Sequence, residues 1–186
     1  MANSITPSML VAPPSRFNPH FDESVIVLAG QRNDLVVGFI LNRPIGLTVN
    51  NLLDHEDEIS HSCDKPILFG GPSKKNSGFI MYEHDKKTPL AKGFMISSTV
   101  SISPSLTLLK KAINGELDGR FELFLGCSTW RKEQLFAELS KGEWLHTPFC
   151  HELLFDIEPE QRWSFSFKNL GISPYSFVNV AGGAQA

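Results

Sequence analysis

The feature that most constrains the fold is a succession of short apolar runs, each ended by glycine, proline or polar residues. The runs "SVIVLAG" (24–30) and "LVVGFILN" (35–42) are rich in β-branched residues and flank a short polar turn. Because β-branched side chains fit a pleated sheet, two such runs around a turn predict an antiparallel hairpin. Further runs of this kind occur at 66–72, 77–83, 92–98 and 121–126. The chain is therefore expected to be rich in antiparallel strands.

Helical patterns are fewer and concentrate in the second half of the chain. Apolar stripes with a capping residue or a final glycine predict helices at 48–55, 104–113, 127–142 and twice within 159–177. In the helix at 127–142, Ser128 or Thr129 is the expected N-cap. The run from Met9 to Ala12 is closed by two prolines and predicts an edge strand, because proline cannot donate to a ladder. Since strands outnumber helices without regular alternation, we predict an α+β fold.

Length and composition predict one soluble domain covering residues 1–186. Apolar residues make up 41% and charged residues 20%, an ordinary globular balance. No apolar run approaches the length of a membrane span, and the N-terminus lacks a secretion signal, so we expect no membrane association and a cytoplasmic location. Three widely spaced cysteines are expected to stay reduced.

The charge pattern argues against direct nucleic-acid binding. The formal net charge is −3, and the basic residues occur as scattered pairs. A nucleic-acid binder usually clusters positive charge to displace counterions from phosphates.

The common glycine-rich patterns for nucleotide phosphates are absent. The glycines form neither G-x-G-x-x-G nor G-x-x-x-x-G-K-[ST]. Histidine and cysteine are grouped twice, at His55, His61 and Cys63 and at His146, Cys150 and His151. Neither group has a standard zinc spacing, so we predict no cofactor and no metal.

The strand at 35–42 ends in Asn42, Arg43 and Pro44, and the later run "FGGP" contains Gly70 and Gly71. An arginine fork can hold a carboxylate or phosphate, and successive glycine amides can face an anion. If the two stretches meet at one end of the sheet, they form a site for a small anionic ligand or a partner's carboxylate. The alternative is structural: Arg43 makes an internal ion pair, Asn42 satisfies turn amides, and the glycines permit a tight turn.

The stretch "FLGCSTW" (124–130) offers a second kind of chemistry. Strand, sharp turn and helix in that order are typical of a nucleophile elbow, so Cys127 or Ser128 is the candidate nucleophile of a hydrolase. The G-x-S-x-G pattern is missing, however. The alternatives are a buried Cys127, a capping Ser128 that also borders a ligand site, and Trp130 as an anchor in the core or at an interface.

The order of several motifs resembles the AlgH/YqgE family of bacterial proteins over nearly the whole chain. The matching pieces are "MLVAPP", "FDESVIVL", "VGFILNRPI", "FGGP", "GFIM", "LGCSTW", "EWL", "ELLFD", "RW", "LGISP" and "AGGA". The chain departs from the family pattern at Tyr82, where relatives often have histidine, and within Gly126–Trp130.

The resemblance implies an α+β domain whose mostly antiparallel, split sheet curls into a pseudo-barrel with helices packed outside. Family members carry the label of transcriptional regulators, although no DNA-binding motif is recognisable. Combined with the absent catalytic spacing, it leads us to expect a non-enzymatic regulatory or interaction protein, with no catalytic residues assigned. The alternatives are a hydrolase using Cys127 or Ser128 and a DNA-binding regulator. The expected ligand-binding residues are Asn42, Arg43, Gly70, Gly71, Ser128 and Trp130.

Overall fold

Ten strands form one hydrogen-bonded sheet in a computed structural model that describes residues 5–14, 20–53, 62–85 and 92–177. The strands are β1 (Ser8–Val11), β2 (Val25–Arg32), β3 (Leu35–Ile40), β4 (Pro44–Thr48), β5 (Pro66–Phe69), β6 (Ser73–Glu83), β7 (Phe94–Met95), β8 (Val100–Ser103), β9 (Phe121–Arg131) and β10 (Leu145–Pro148). The helices are α1 (Val49–Leu53), α2 (Leu106–Ile113), α3 (Lys132–Ser140), α4 (His151–Phe155) and α5 (Arg162–Leu170), with 3₁₀ turns at Pro159–Gln161 and Pro174–Phe177.

The sheet is antiparallel except where β5 runs parallel to β9. Its main path is β10-β1-β2-β3-β9-β6-β8-β7. The strands β4 and β5 lie off this path: β5 pairs with β9, and β4 pairs with β5. The predicted hairpin of β2 and β3 is confirmed, with Ile26 opposite Ile40 and a bulge after Leu28. The sheet curls into a half-barrel, so that the Phe94 ring of β7 packs against Gly30 of β2. A Cβ atom at Gly30 would lie 2.2 Å from that ring. The predicted α+β class and curled sheet are therefore confirmed.

Alternation along the strands supplies both faces of the sheet with apolar side chains. Val25, Val27 and Ala29 of β2 belong to the cluster covered by α4 and α5. Ile26 and Leu28 point to the opposite face, where α3 packs. A third cluster lies under α2 and is built largely from β5, β6 and β9. Because successive strand residues face opposite sides, this double burial explains why the strands read as continuous apolar runs.

A buried ion pair joins the helical layer to the sheet. The Arg162 side chain at the start of α5 is 2% exposed, and its Nη2 donates to Glu122 Oε1 of β9 at 2.9 Å. The same guanidinium donates to the backbone carbonyls of Leu41, Leu154 and Ile157. The buried charge is thus both paired and hydrogen-bonded, as burial in a low-dielectric interior requires.

Two predictions about the elements are wrong. The strand β1 is not an edge, because β10 pairs with it on the side away from β2. The helix predicted at 127–142 begins only at Lys132, because β9 continues to Arg131 and pairs with β3 there. Its N-cap is Arg131, whose side chain makes no capping bond, so neither Ser128 nor Thr129 caps the helix.

None of the helices in the described ranges is long and apolar enough to cross a bilayer. The cysteines Cys63, Cys127 and Cys150 are free thiols. In the part of the chain described, no cluster of three or more histidine, cysteine, aspartate or glutamate side chains could hold a metal ion, while His55 and His61 lie outside it.

Candidate functional site

Asn42 and Arg43 fasten the segment before β2 to the end of β3. The Asn42 Oδ1 atom accepts a hydrogen bond from the Val25 amide at 2.9 Å, and its Nδ2 donates to the Glu23 carbonyl at 2.7 Å. The Arg43 guanidinium donates to the backbone carbonyls of His20 and Asp22. Burial lowers the pKa of Arg43, while the nearby Asp22 raises it. Both side chains therefore position residues 20–25.

Gly70 and Gly71 follow β5, near the point where β9 stops pairing with β5 and begins to pair with β3. The Gly70 amide donates to the Leu125 carbonyl at 2.8 Å, and the Gly70 carbonyl accepts from the Ile40 amide at 3.0 Å. The backbone at Gly71 has φ +146°, and a Cβ atom there would lie 2.1 Å from Ser128 Oγ. Only glycine permits this approach of two backbones. We call this place the branch point: Asn42, Arg43, Gly70, Gly71 and Ser128.

The predicted meeting of the two stretches does occur at the branch point. The Phe69 amide donates to the Arg43 carbonyl at 2.7 Å, which brings "NRP" beside "FGGP". The contacts that hold them together are internal hydrogen bonds. Whether an anion also binds there stays a prediction.

The candidate nucleophiles lie inside the sheet. Ser128 is 1% exposed, and its hydroxyl donates to the Gly70 carbonyl at 3.2 Å. Cys127 is 2% exposed, and burial raises the pKa of its thiol, with a smaller opposing effect of Lys74. The sharp turn of a nucleophile elbow is not formed, because both residues belong to the continuous strand β9.

Trp130 lies on the other side of β9 from Cys127, in an aromatic group. Its indole Nε1 donates to Glu138 Oε2 at 3.1 Å, and the Trp144 indole donates to the same oxygen at 2.8 Å. The second oxygen of Glu138 accepts from Gln134 at 2.8 Å. The Phe21 ring lies 5.8 Å from the Trp130 ring and 5.5 Å from the Trp144 ring, measured between centroids. One carboxylate thus orients two tryptophans.

A cavity of about 620 Å³ adjoins this group. We call it the acidic aromatic pocket, and its walls include Phe21, Asp22, Glu138, Lys141, Glu143 and Trp144. The charged groups of this wall are three carboxylates and one ammonium group. The Lys141 Nζ lies 3.8 Å from Glu143 Oε1, and both side chains are at least half exposed. The pocket therefore carries net negative charge beside aromatic rings.

The predicted residues support this pocket more than they line it. Arg43 holds the backbone of Asp22, and Trp130 helps to hold Glu138, whereas neither belongs to the wall. Sequence reasoning missed Glu138 and Trp144. A signal for Trp144 was present, because it lies in the motif "EWL". That motif also supplies Glu143 to the cavity, and "MLVAPP" and "FDESVIVL" supply Pro14 and Phe21.

A second cavity, of about 570 Å³, lies between β6 and the start of α2. At its rim, Arg120 donates to both carboxylate oxygens of Glu83 at 3.0 Å. This hydrogen bonding to Arg120 lowers the pKa of Glu83 to about 2. His151 also lies 2.8 Å from Glu83 Oε1. The wall mixes lysines with carboxylates and, among the described residues, includes the imidazole of His84 but no phenyl or indole ring, so its chemistry is less specific than that of the acidic aromatic pocket.

Comparisons with known proteins place the fold and the motifs in a family. The profile of the family DUF179, described as AlgH-like, matches residues 9–175. This chain belongs to the AlgH-like family. Among similar curated proteins, a UPF0301 protein of Shewanella woodyi is 32% identical over 98% of this AlgH-like chain and all of its own length. A UPF0301 protein of Hydrogenovibrio crunogenus is 32% identical, with 97% of each chain covered.

Solved structures agree with this assignment. The solution structure of the AlgH protein from Pseudomonas aeruginosa matches with a TM-score of 0.75 and 26% identity, covering all of this AlgH-like chain and 96% of that chain. A crystal structure of a protein from Corynebacterium diphtheriae matches with a TM-score of 0.70 over 88% of this chain and 86% of its own. At 18% identity, that second likeness shows the fold alone.

Proposed function

We propose that this AlgH-like chain is a non-catalytic binding protein of a regulatory or interaction type. The observation that supports this best is the hydrogen bond from Ser128 Oγ to the Gly70 carbonyl, both of which are buried. A nucleophilic hydroxyl must give its proton to a base such as histidine or a carboxylate. A neutral carbonyl accepts a hydrogen bond but does not take the proton, so Ser128 is held as a structural link across the sheet.

The thiol at Cys127 supports the same proposal. Thiolates react, and they are favoured by exposure and nearby positive charge. Here burial has the larger effect and raises the thiol pKa, while Lys74 only partly opposes it. A hydrolase built on either residue would therefore need the strand β9 to open.

The binding surface that we propose is the acidic aromatic pocket. Its size falls within the range of roughly 300–1,000 Å³ typical of small-molecule sites, and its wall combines rings with a few polar groups. A small anion or partner carboxylate at Arg43 and Gly70 remains the competing proposal. We retain a cytoplasmic location as part of the proposal, and the net charge of −3 keeps direct DNA binding the weaker alternative.

Native labelling with reactive probes tests the absence of catalysis at β9. We expect a fluorophosphonate to leave Ser128 unmodified, and iodoacetamide to leave Cys127 unmodified while it reaches the partly exposed Cys63 and Cys150. Peptide mass spectrometry would measure each site, and denatured protein would show that Cys127 reacts once exposed. Stoichiometric native labelling of Ser128 or Cys127 would contradict the proposal.

A further inference from the structure

We infer that the acidic aromatic pocket binds a compact organic cation, namely an ammonium or guanidinium group. This inference rests on the proposed function, because it names the ligand class of the same binding protein.

The carboxylate of Glu138 supplies negative charge that neutral groups hold in place. Its three hydrogen bonds come from the indoles of Trp130 and Trp144 and from the Gln134 amide. These donors satisfy the oxygens without cancelling the charge. Within the described ranges, Glu138 forms no ion pair. A cation entering the cavity would therefore meet a fixed carboxylate whose charge is still available.

Glu143 and Asp22 add to the same field. The ion pair of Glu143 with Lys141 is long, at 3.8 Å, and exposed, so it offsets little of the charge. Asp22 also belongs to the wall, and its attraction to Arg43, which lies outside the wall, offsets part of its charge. An anion in the cavity would face three carboxylates, whereas a cation would be attracted by them.

The aromatic rings favour an organic cation over a hydrated metal ion. Phe21 and Trp144 both belong to the wall, and their rings meet edge to face at an interplanar angle of 70°. The face of an aromatic ring carries partial negative charge and attracts ammonium and guanidinium groups. Because the indole of Trp144 is tied to Glu138 and only 6% exposed, its orientation is fixed before a ligand arrives.

The position of Arg43 explains how the predicted anion site and this pocket are related. Its guanidinium donates to the backbone carbonyls of His20 and Asp22, on either side of Phe21 in the sequence. The arginine thereby holds the segment that brings Phe21 and Asp22 to the pocket. We assign Arg43 as a positioning residue and the carboxylates as the groups that meet the ligand.

The test is a nuclear magnetic resonance titration of the full chain with N-acetyl-arginine amide. Binding should shift the amide signals of Asp22 and Glu143 and the indole signal of Trp144. For so small a probe we expect a dissociation constant on the order of 1 mM, weakened by added salt. The uncharged isostere N-acetyl-citrulline amide should produce no comparable shifts.

The variant Glu143→Gln should weaken binding of the arginine probe about two- to fivefold, since one partly exposed charge is removed. The matched control is Glu133→Gln, the same substitution at an exposed residue of α3 outside the pocket wall. The control should bind like the parent chain. Equal effects of the two variants, equal shifts with citrulline, or no shifts at tens of millimolar would overturn the inference.

Two further arms test the source of the cation and the sign of the ligand's charge. A short peptide with a central arginine should bind more tightly than the single residue if the natural ligand is a protein partner, and no more tightly if it is a free amine or guanidine. Acetate in place of the cation should leave the pocket signals unchanged, and shifts centred on Arg43 and Gly70 would favour the anion proposal instead.

Failure of cation binding with Ser128 and Cys127 still unlabelled would reject only this inference. Native labelling of either residue would reject the proposed function.

Discussion

At the scale of single residues, this structure uses charged side chains in two contrasting ways. Arg162 is buried with Glu122 and holds the helical layer on the sheet, whereas Arg120 forms its ion pairs with Glu83 and Asp156 at the surface. The side chain of Arg120 is 43% exposed and that of Arg162 only 2%. Solvent screens the ion pairs of Arg120 but not the buried pair of Arg162 with Glu122. Substitution of the two arginines should therefore lower the free energy of unfolding by different amounts.

Replacement of Arg162 by methionine should destabilise the fold severely. It would leave the Glu122 carboxylate buried without its cation and would remove donors to three backbone carbonyls. We expect a loss of about 3–5 kcal/mol in the free energy of unfolding, measured by urea denaturation. Arg120→Met, the same substitution at the surface, should cost about 1 kcal/mol or less. Similar losses in the two variants would contradict this account of Arg162.

The pH dependence of stability should report on Glu83. Its pKa is about 2 in the folded chain against an ordinary value of 4.5, chiefly because Arg120 donates hydrogen bonds to the carboxylate. A carboxyl group with a lowered folded pKa stabilises the fold above its unfolded pKa, and that stabilisation is lost as the pH falls through the folded pKa.

The window for Glu83 therefore runs from about pH 4.5 down to about pH 2. Compared with Glu83→Gln, the parent chain should lose about 1 kcal/mol or less of stability across it, because the partner Arg120 is exposed and solvent screens the pair. Urea denaturation at several pH values would measure the difference. An unchanged difference between the two proteins down to pH 2 would exclude this role of Glu83.

At the scale of elements, β9 organises the fold. Its first half lies between β5 and β6, and its second half pairs with β3. The change of partner from β5 to β3 needs a glycine at position 126. Gly126 has φ +73° and lies so close to Gly71 that a Cβ atom would be 2.4 Å from the Gly71 carbonyl oxygen. The hairpin of β2 and β3 was predictable from local turn chemistry. The length of β9 was not, because pairing with β3 outweighs the local signals for a helix at Ser128.

Gly126→Ala and Gly115→Ala separate backbone strain from crowding. Both glycines have φ +73°, but no atom lies within 4 Å of a Cβ atom placed at Gly115. We expect Gly115→Ala to cost about 1–2 kcal/mol from the left-handed backbone alone. Gly126→Ala should cost at least about 2 kcal/mol more, since the sheet must also separate at the branch point. Thermal or urea denaturation would compare them, and equal costs would show that the close approach is readily relaxed.

At the scale of the whole molecule, sequence determined the class of fold better than the site. Local runs and turns were enough for an α+β sheet, and the resemblance supplied its curl. The acidic aromatic pocket joins Phe21 to Glu138 and Trp144, residues more than a hundred positions apart that no local pattern connects. The single domain over 1–186 remains a prediction, which the shared strand β9 supports.

The indole pair on Glu138 gives the protein an optical property. Trp144 lies in the wall of the cavity, and Trp130 shares its carboxylate, so two of the chain's three tryptophans experience the same charge. Anything that alters that charge also alters the surroundings of both emitting rings. The intrinsic fluorescence of the unlabelled protein is thus a built-in gauge of occupancy, and candidate ligands can be screened in solution with no added dye.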